Sequence, residues 1–354
     1  MKRSNAALAV LVAGALTCGL GCGDGGSKTG ASAEPAKSGA AASSAGAKTS
    51  AAAKSTGAPA TTGDKPKDAP AATAGVDVLK HMPKECDEGR IYVNVGKLFA
   101  GGDLGTSLDT IVGKAMAQGK ADDKKAEAVM KTLKEGGVDP LKDIREVAVC
   151  ANKDDKKTVV VVSMEPKADK PADVFAKAAE AATGKAPTKE DKDGATWVQS
   201  AADKSVMAFV GKNVMLVGED KDVLAAAIKG GDGASEFGDA KSSIVWAKVD
   251  PNKSKADINM KETGSDYDLK VMFVGGKDAP KMKEQFEKML PEVDKAAEQM
   301  PFVKPLLPVA KNGKIEVAGE NVTFTTKFPK AAIADFLKEA SKVDPKEIMK
   351  GLKF

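Results

Sequence analysis

The chain has 354 residues, with 54 Lys and Arg against 50 Asp and Glu, for a formal charge of only +4. No stretch interleaves basic residues with aromatics as a nucleic-acid groove does, so no nucleic-acid partner is expected. From Gly23 to Gly75 there is no Leu, Ile, Val, Met, Phe, Tyr or Trp, and a segment with nothing large and apolar to bury cannot offset the entropy of ordering.

The first element, Met1 to Thr17, has a basic start and then the apolar run AALAVLVAGAL. That run is too short for a permanent membrane helix and has the length of an export signal's apolar heart. Two cysteines follow in GALTCGLGC, Cys18 and Cys22. The stretch resembles the lipobox of bacterial lipoproteins, in which a cysteine behind small and apolar residues is acylated and becomes the mature N-terminus. Leu16 and Leu20 each sit one position later than the lipobox pattern places its Leu. Gly21 is the small residue that lipobox cleavage takes, whereas Thr17 is not, and this favours Cys22 with Cys18 as the alternative. Parity points the same way. Lipidation at Cys22 leaves Cys86 and Cys150 as an even pair in an exported chain, where thiols pair, and a Cys86–Cys150 disulfide is expected. The resemblance implies a protein anchored in the cell envelope through its N-terminal lipid, at the outer membrane, on its periplasmic or surface face.

Residues 22–75 then read as the acylated cysteine and a leash of Ala, Ser, Gly, Thr, Pro and Lys, with a reach of roughly 170 Å at full stretch and about 40 Å as a coil. Beyond Val76 the apolar residues return in strand-like runs. These are IYVNV (91–95), EVAVC (146–150), TVVVVSM (158–164), TWVQS (196–200), VMAFV (206–210) and NVMLV (213–217), then SIVWAKV, KADINMK, YDLKVMFV, KIEVA and NVTFTTKF in the C-terminal part. Helical patterns fall between them at 104–118, 122–135, 171–182, 220–229, 279–299 and 329–342. Asp139-Pro140 and Asp344-Pro345 read as helix starts, with Asp as cap and Pro at the first helical position.

The elements recur. The turns GKNV at Gly211 and GENV at Gly319 each join two strands ahead of a helix, Pro171 and Pro280 each open a helix after a strand, and TVVVVSM matches DLKVMFV. All three pairs stand about 110 residues apart, the mark of a repeated unit. The expected fold is α+β: two tandem repeats of largely antiparallel sheet with helices packed on one face. The first repeat, with a helical insertion, runs over 76–235, and the second, with a C-terminal helix, over 236–354. The Gly-rich GGDGASEFG (230–238) reads as the linker between them.

Chemistry is sparse. The one histidine, His81, excludes triads and sites built on several histidines and reads as a solvated or packed side chain. There is no C-x-x-C, Gly-x-Ser-x-Gly, Ser-x-x-Lys or phosphate loop. KEDKDGAT (189–196) places Asp191, Asp193 and Gly194 as in part of a calcium loop, but Lys189 stands at the first ligand position, and a solvated turn is the expectation. No metal and no cofactor are expected. Carboxylates are numerous enough for a hydrolase pair, yet nothing positions one.

One stretch stands apart: QMPFVKPLLPVA (299–310), apolar and broken by prolines. It reads either as a connector over the sheet or as a lip for a partner or apolar ligand, formed by Pro301, Phe302, Val303, Pro305, Leu306, Leu307 and Pro308. Met207, Met215, Met260, Met272, Met282 and Met289 could line an adaptable cavity. The favoured expectation is a non-catalytic binding or scaffold module for an envelope protein. A carrier of lipid or another apolar ligand is the alternative, and a carboxylate-based hydrolase follows behind.

Overall fold

The computed structural model describes residues 77–99, 107, 110, 121–202, 204–250 and 255–343. The leader with Cys18 and Cys22, the leash, most of the predicted 104–118 helix and the Asp344-Pro345 helix start lie outside them.

Among the described residues the N-terminal half contributes seven strands: β1 (Gly89–Asn94), β2 (Ile144–Ala151), β3 (Val159–Met164), β4 (Thr188–Lys192), β5 (Ala195–Gln199), β6 (Val206–Val210) and β7 (Val214–Gly218). Its helices are α1 (Val95–Phe99), α2 (Ala121–Glu135), α3 (Pro140–Asp143), α4 (Pro171–Thr183) and α5 (Lys221–Ile228). The C-terminal half adds β8 (Val245–Val249), β9 (Ala256–Thr263), β10 (Asp266–Val274), α6 (Ala279–Gln299), α7 (Leu307–Lys311), β11 (Lys314–Ala318), β12 (Asn321–Pro329) and α8 (Lys330–Ala340).

All twelve strands form one sheet in the order β11-β12-β10-β9-β8-β1-β2-β3-β7-β6-β5-β4, and every neighbouring pair is antiparallel. The two halves meet where β1 pairs with β8, Tyr92 opposite Trp246. Outward from that seam the order is β1-β2-β3-β7-β6 on one side and β8-β9-β10-β12-β11 on the other; only the first side continues, through β5 and β4.

The α+β class and the antiparallel sheet are as the strand patterns imply. The expectation of helices on one face needs correction in the first half. Alternation sends Val93, Val147, Val162, Phe209 and Met215 to one face, where Ala172 and Phe175 of α4 cover them, with the Phe175 and Phe209 rings 5.3 Å apart. Tyr92, Ala148, Val161, Ala208 and Leu216 point to the other face, beneath Leu224 and Ala227 of α5, the turn Val78–His81, and Phe237. The strands β2, β3 and β7 carry apolar residues on both sides, so both sides must be covered. In the second half one face packs against α8 through Met260, Tyr267, Phe328, Ile333 and Leu337. Its other face carries Asp257, Asn259, Lys270 and Thr325 in alternation, and stays polar.

Local chemistry fixes the helix ends. The Asp139 carboxylate accepts from Leu141 N–H with Pro140 in the first turn of α3, and Asp220 accepts from the N–H groups of Asp222 and Val223 at the start of α5. Gly184 closes α4 at φ 70°, a left-handed conformation that glycine takes without strain.

The segment read as a linker is part of the core. Residues Asp232–Phe237 form a 3-10 turn, Phe237 is fully buried, and its ring lies 5.4 Å from that of Trp246. The expected boundary at 235/236 therefore falls inside a packed element. KEDKDGAT is not a bare turn either: Thr188–Lys192 is strand β4, joined to β5 through Asp193 and Gly194, both at positive φ.

Candidate functional site

Cys86 and Cys150 form a disulfide, linking the segment just before β1 to the end of β2. Cys150 is fully buried, and Asn152 strengthens the junction by accepting from Asp87 N–H at 2.9 Å and donating to the Lys157 carbonyl at 3.0 Å. The Nδ1–H of His81 donates to the Ala227 carbonyl at 3.0 Å, tying the N-terminal turn to the end of α5 in a packing role. Asp191 accepts from the Thr196 hydroxyl across the β4–β5 hairpin at 2.6 Å, and among the described residues no group of three His, Cys, Asp or Glu is arranged to hold a metal ion.

The six methionines do not share a cavity. Met207 and Met215 belong to the α4-covered core, Met260 to the α8-covered core, and Met272 to the polar face. Strand alternation and helix phase distribute them, and nothing in their sequence positions groups them. A cleft of about 200 Å³ on the polar face is lined by Asp239, Trp246, Lys248, Asp257, Lys270 and Met272 among others. It is charged and lies below the roughly 300–1,000 Å³ of ordinary ligand pockets.

The predicted lip turns inward. Pro301–Leu306 form a 3-10 turn that leads into α7. Phe302 is buried, with its ring 6.1 Å from that of Phe336 in α8; Val303, Pro305, Leu306 and Leu307 are half-buried, and only Pro301 and Pro308 of the set are exposed. The stretch is a wedge between helices.

Exposed apolar side chains occur on three of the elements around it. Three large hydrophobic residues are more than a third exposed among the described residues: Val274 at the end of β10, Met289 on α6 at 46% and Val317 on β11 at 36%. Helix α6 places Met282, Phe286, Met289, Leu290, Val293 and Ala297 along one stripe, and Phe286 rests 5.4 Å from the Phe273 ring. Asp294 pairs with Lys311 of α7 at 2.9 Å, so that flank of α6 faces α7. At about 100° per residue, Met289 lies roughly 140° around the helix from Asp294. It lies on the flank of α6 turned away from α7.

Strand β11 is one end of the sheet. Among the described residues it pairs with β12 alone, through the two-residue loop Gly319–Glu320, with Ala318 opposite Asn321. In an antiparallel ladder, residues alternate between those that bond to the partner strand and those whose backbone groups point away. Counting from the hairpin, the outward residues are Ile315 and Val317, whose side chains also face α6. Lys314 and Glu316 lie on the polar face.

The opposite end of the sheet is protected. Every residue of β4 is exposed and the strand reads TKEDK; Lys189 pairs with Asp173, and Lys221 with Glu190 at 3.0 Å. Charged edges resist strand addition. In the first half β6 occupies the place that β11 holds in the second, and β5 covers its outer side, burying Val198 completely. Nothing among the described residues does this for β11.

A buried polar group sits near the seam. The Tyr92 hydroxyl donates to Glu146 at 2.9 Å, with the Asn94 amide beside it. Burial, and then the negative charge of Glu146, push the Tyr92 phenol above its ordinary range. Burial lifts the Glu146 carboxyl above its ordinary 4.5, against the downward pull of the Tyr92 bond and the Lys241 charge. A carboxyl with a raised folded value binds its proton more tightly in the folded chain, so stability falls as pH rises from the ordinary value to the raised one. Urea midpoints measured from pH 4 to 7 should show that decline in the native chain and a shallower one in Glu146→Gln; parallel curves would refute the assignment.

Among the described residues these features define an α+β domain on a single antiparallel sheet with one guarded and one open edge. No family model matches the chain, and no curated protein does. Among solved structures, crystal forms III and I of TP0453 align with 77% and 75% of this chain and 100% and 98% of their own, at 10% and 11% identity and TM-scores of 0.44 and 0.39. Likeness at that level carries no argument about function.

Proposed function

We propose that this chain is a lipid-anchored protein of the cell envelope, at the outer membrane, whose domain is a non-catalytic binding or scaffold module. The observation that carries the binding reading is the β11 edge, unpaired on its outer side among the described residues and carrying the exposed Val317, where β5 fills the matching position of the first half. Exposed apolar residues beside unpaired strand groups are how proteins receive partners. Anchoring rests on the lipobox-like residues before Cys22, and the Cys86–Cys150 disulfide is in keeping with an exported chain. Among the described residues no helix is long and apolar enough to cross a membrane. The shared strand order of the two halves supports reading them as copies of one unit, the first carrying the β4–β5 hairpin as an addition.

Mass spectrometry of the mature N-terminal peptide should find the acyl chains on Cys22, and Cys22→Ser should move the protein from the membrane to the soluble fraction. Acylation at Cys18, or an unaltered distribution, would overturn the anchor. Native mass spectrometry of the protein taken gently from its own membrane should find no bound lipid; a stoichiometric lipid would replace the binding module with a carrier.

A further inference from the structure

We propose that the occupant of the β11 edge is a second copy of this chain, paired β11 to β11 in antiparallel register about Ile315. This rests on reading that edge as the binding surface.

Four observations converge. The outward backbone groups of Ile315 allow it to face its own counterpart as an exchanging pair, which gives two hydrogen bonds across the axis. In that register each Lys314 stands opposite the partner's Glu316, so two reciprocal ion pairs form on the polar face, and neither residue has an ion-pair partner among the described residues. A register shifted to centre on Glu316 sets two carboxylates face to face, which is unfavourable. On the helix-covered face, Ile315 meets Ile315, and the exposed Val317 of each copy lies two residues along the same strand face. Finally, the other edge is unfit for the role. Lys189 and Asp191 of β4 share the face of Val198, so joining β4 to β11 head to tail would set charges against Ile315 and Val317. The self-complementary edge thus closes a two-fold dimer and stops there.

The test uses the full-length chain in mild detergent, with native mass spectrometry and sedimentation over a concentration series. The native chain should give the mass of two copies. Glu316→Lys, at an exposed position, should keep the fold by circular dichroism and weaken the dimer by roughly tenfold or more, because each copy then opposes lysine to lysine. The swap Lys314→Glu with Glu316→Lys should restore it. Ile315→Cys should cross-link copies in the membrane, since facing residues of an exchanging pair lie about 5.5 Å apart. A chain that stays monomeric at every concentration, or a dimer indifferent to Glu316→Lys, would sink the proposal. A dimer without an acylated Cys22 would instead remove the anchor and leave the pairing standing.

Discussion

Removing the Cys86–Cys150 bond is expected to lower the stability of the domain by roughly 3 to 4 kcal/mol. The cross-link joins positions 64 residues apart, and the cost of closing so long a loop returns to the unfolded chain once the bond is gone. The bond also spans from a segment outside the sheet to β2, next to the seam strand β1, so its loss frees the approach to the central strands. Urea unfolding of the double variant Cys86→Ala, Cys150→Ala should show the drop, and the native chain treated with reductant should show one of the same size. A midpoint indifferent to reductant would mean that the hydrogen bonds of Asn152 hold this junction unaided.

Gly233→Ala is expected to cost about 3 kcal/mol or more, by overpacking. A Cβ at Gly233 would lie 2.0 Å from the Pro83 carbonyl oxygen, and one at Gly231 would lie 1.9 Å from that of Met82. Both obstacles are backbone and cannot rotate away. The same glycines donate to the N-terminal segment, Gly231 N–H to the Lys80 carbonyl at 2.7 Å and Gly233 N–H to the Met82 carbonyl at 3.0 Å. Relief therefore requires the two strips of backbone to separate, which exposes Met82 and Phe237, both fully buried. Ser235→Ala, on the exposed side of the same turn, should leave the midpoint within about 0.5 kcal/mol. Equal stability for both variants would show that the seam adapts.

Much of this was legible from residue patterns. Period-two runs such as IYVNV and VMAFV found their strands, Asp139-Pro140 found a helix start, and cysteine parity found the disulfide. What escaped has physical reasons. β4 carries no alternation, because it is exposed on both sides and its TKEDK sequence answers to solvent alone. GGDGASEFG has the composition of a flexible linker, yet its glycines are there for close backbone approach, and composition does not separate the two uses. The apolar 299–310 stretch was visible, but not that Phe302 would turn inward beneath α8. The open edge could not be read locally: KIEVA is an ordinary strand sequence, and only the order of all twelve strands makes it terminal. Pairing about Ile315 depends on that same global fact.

The disulfide also decides where a mechanical load would go. A pull applied to the N-terminal segment meets Cys86 before it meets β1, and the S–S bond passes tension into β2 in the middle of the sheet. A strand loaded at its end can be unzipped one hydrogen bond at a time; here the S–S bond makes β1 and β2 share the load at that end. Residues 77–85 are not slack: Val78, Leu79 and Met82 are buried and the Lys80 and Met82 carbonyls accept from Gly231 and Gly233, so the core resists such a pull before it reaches the disulfide.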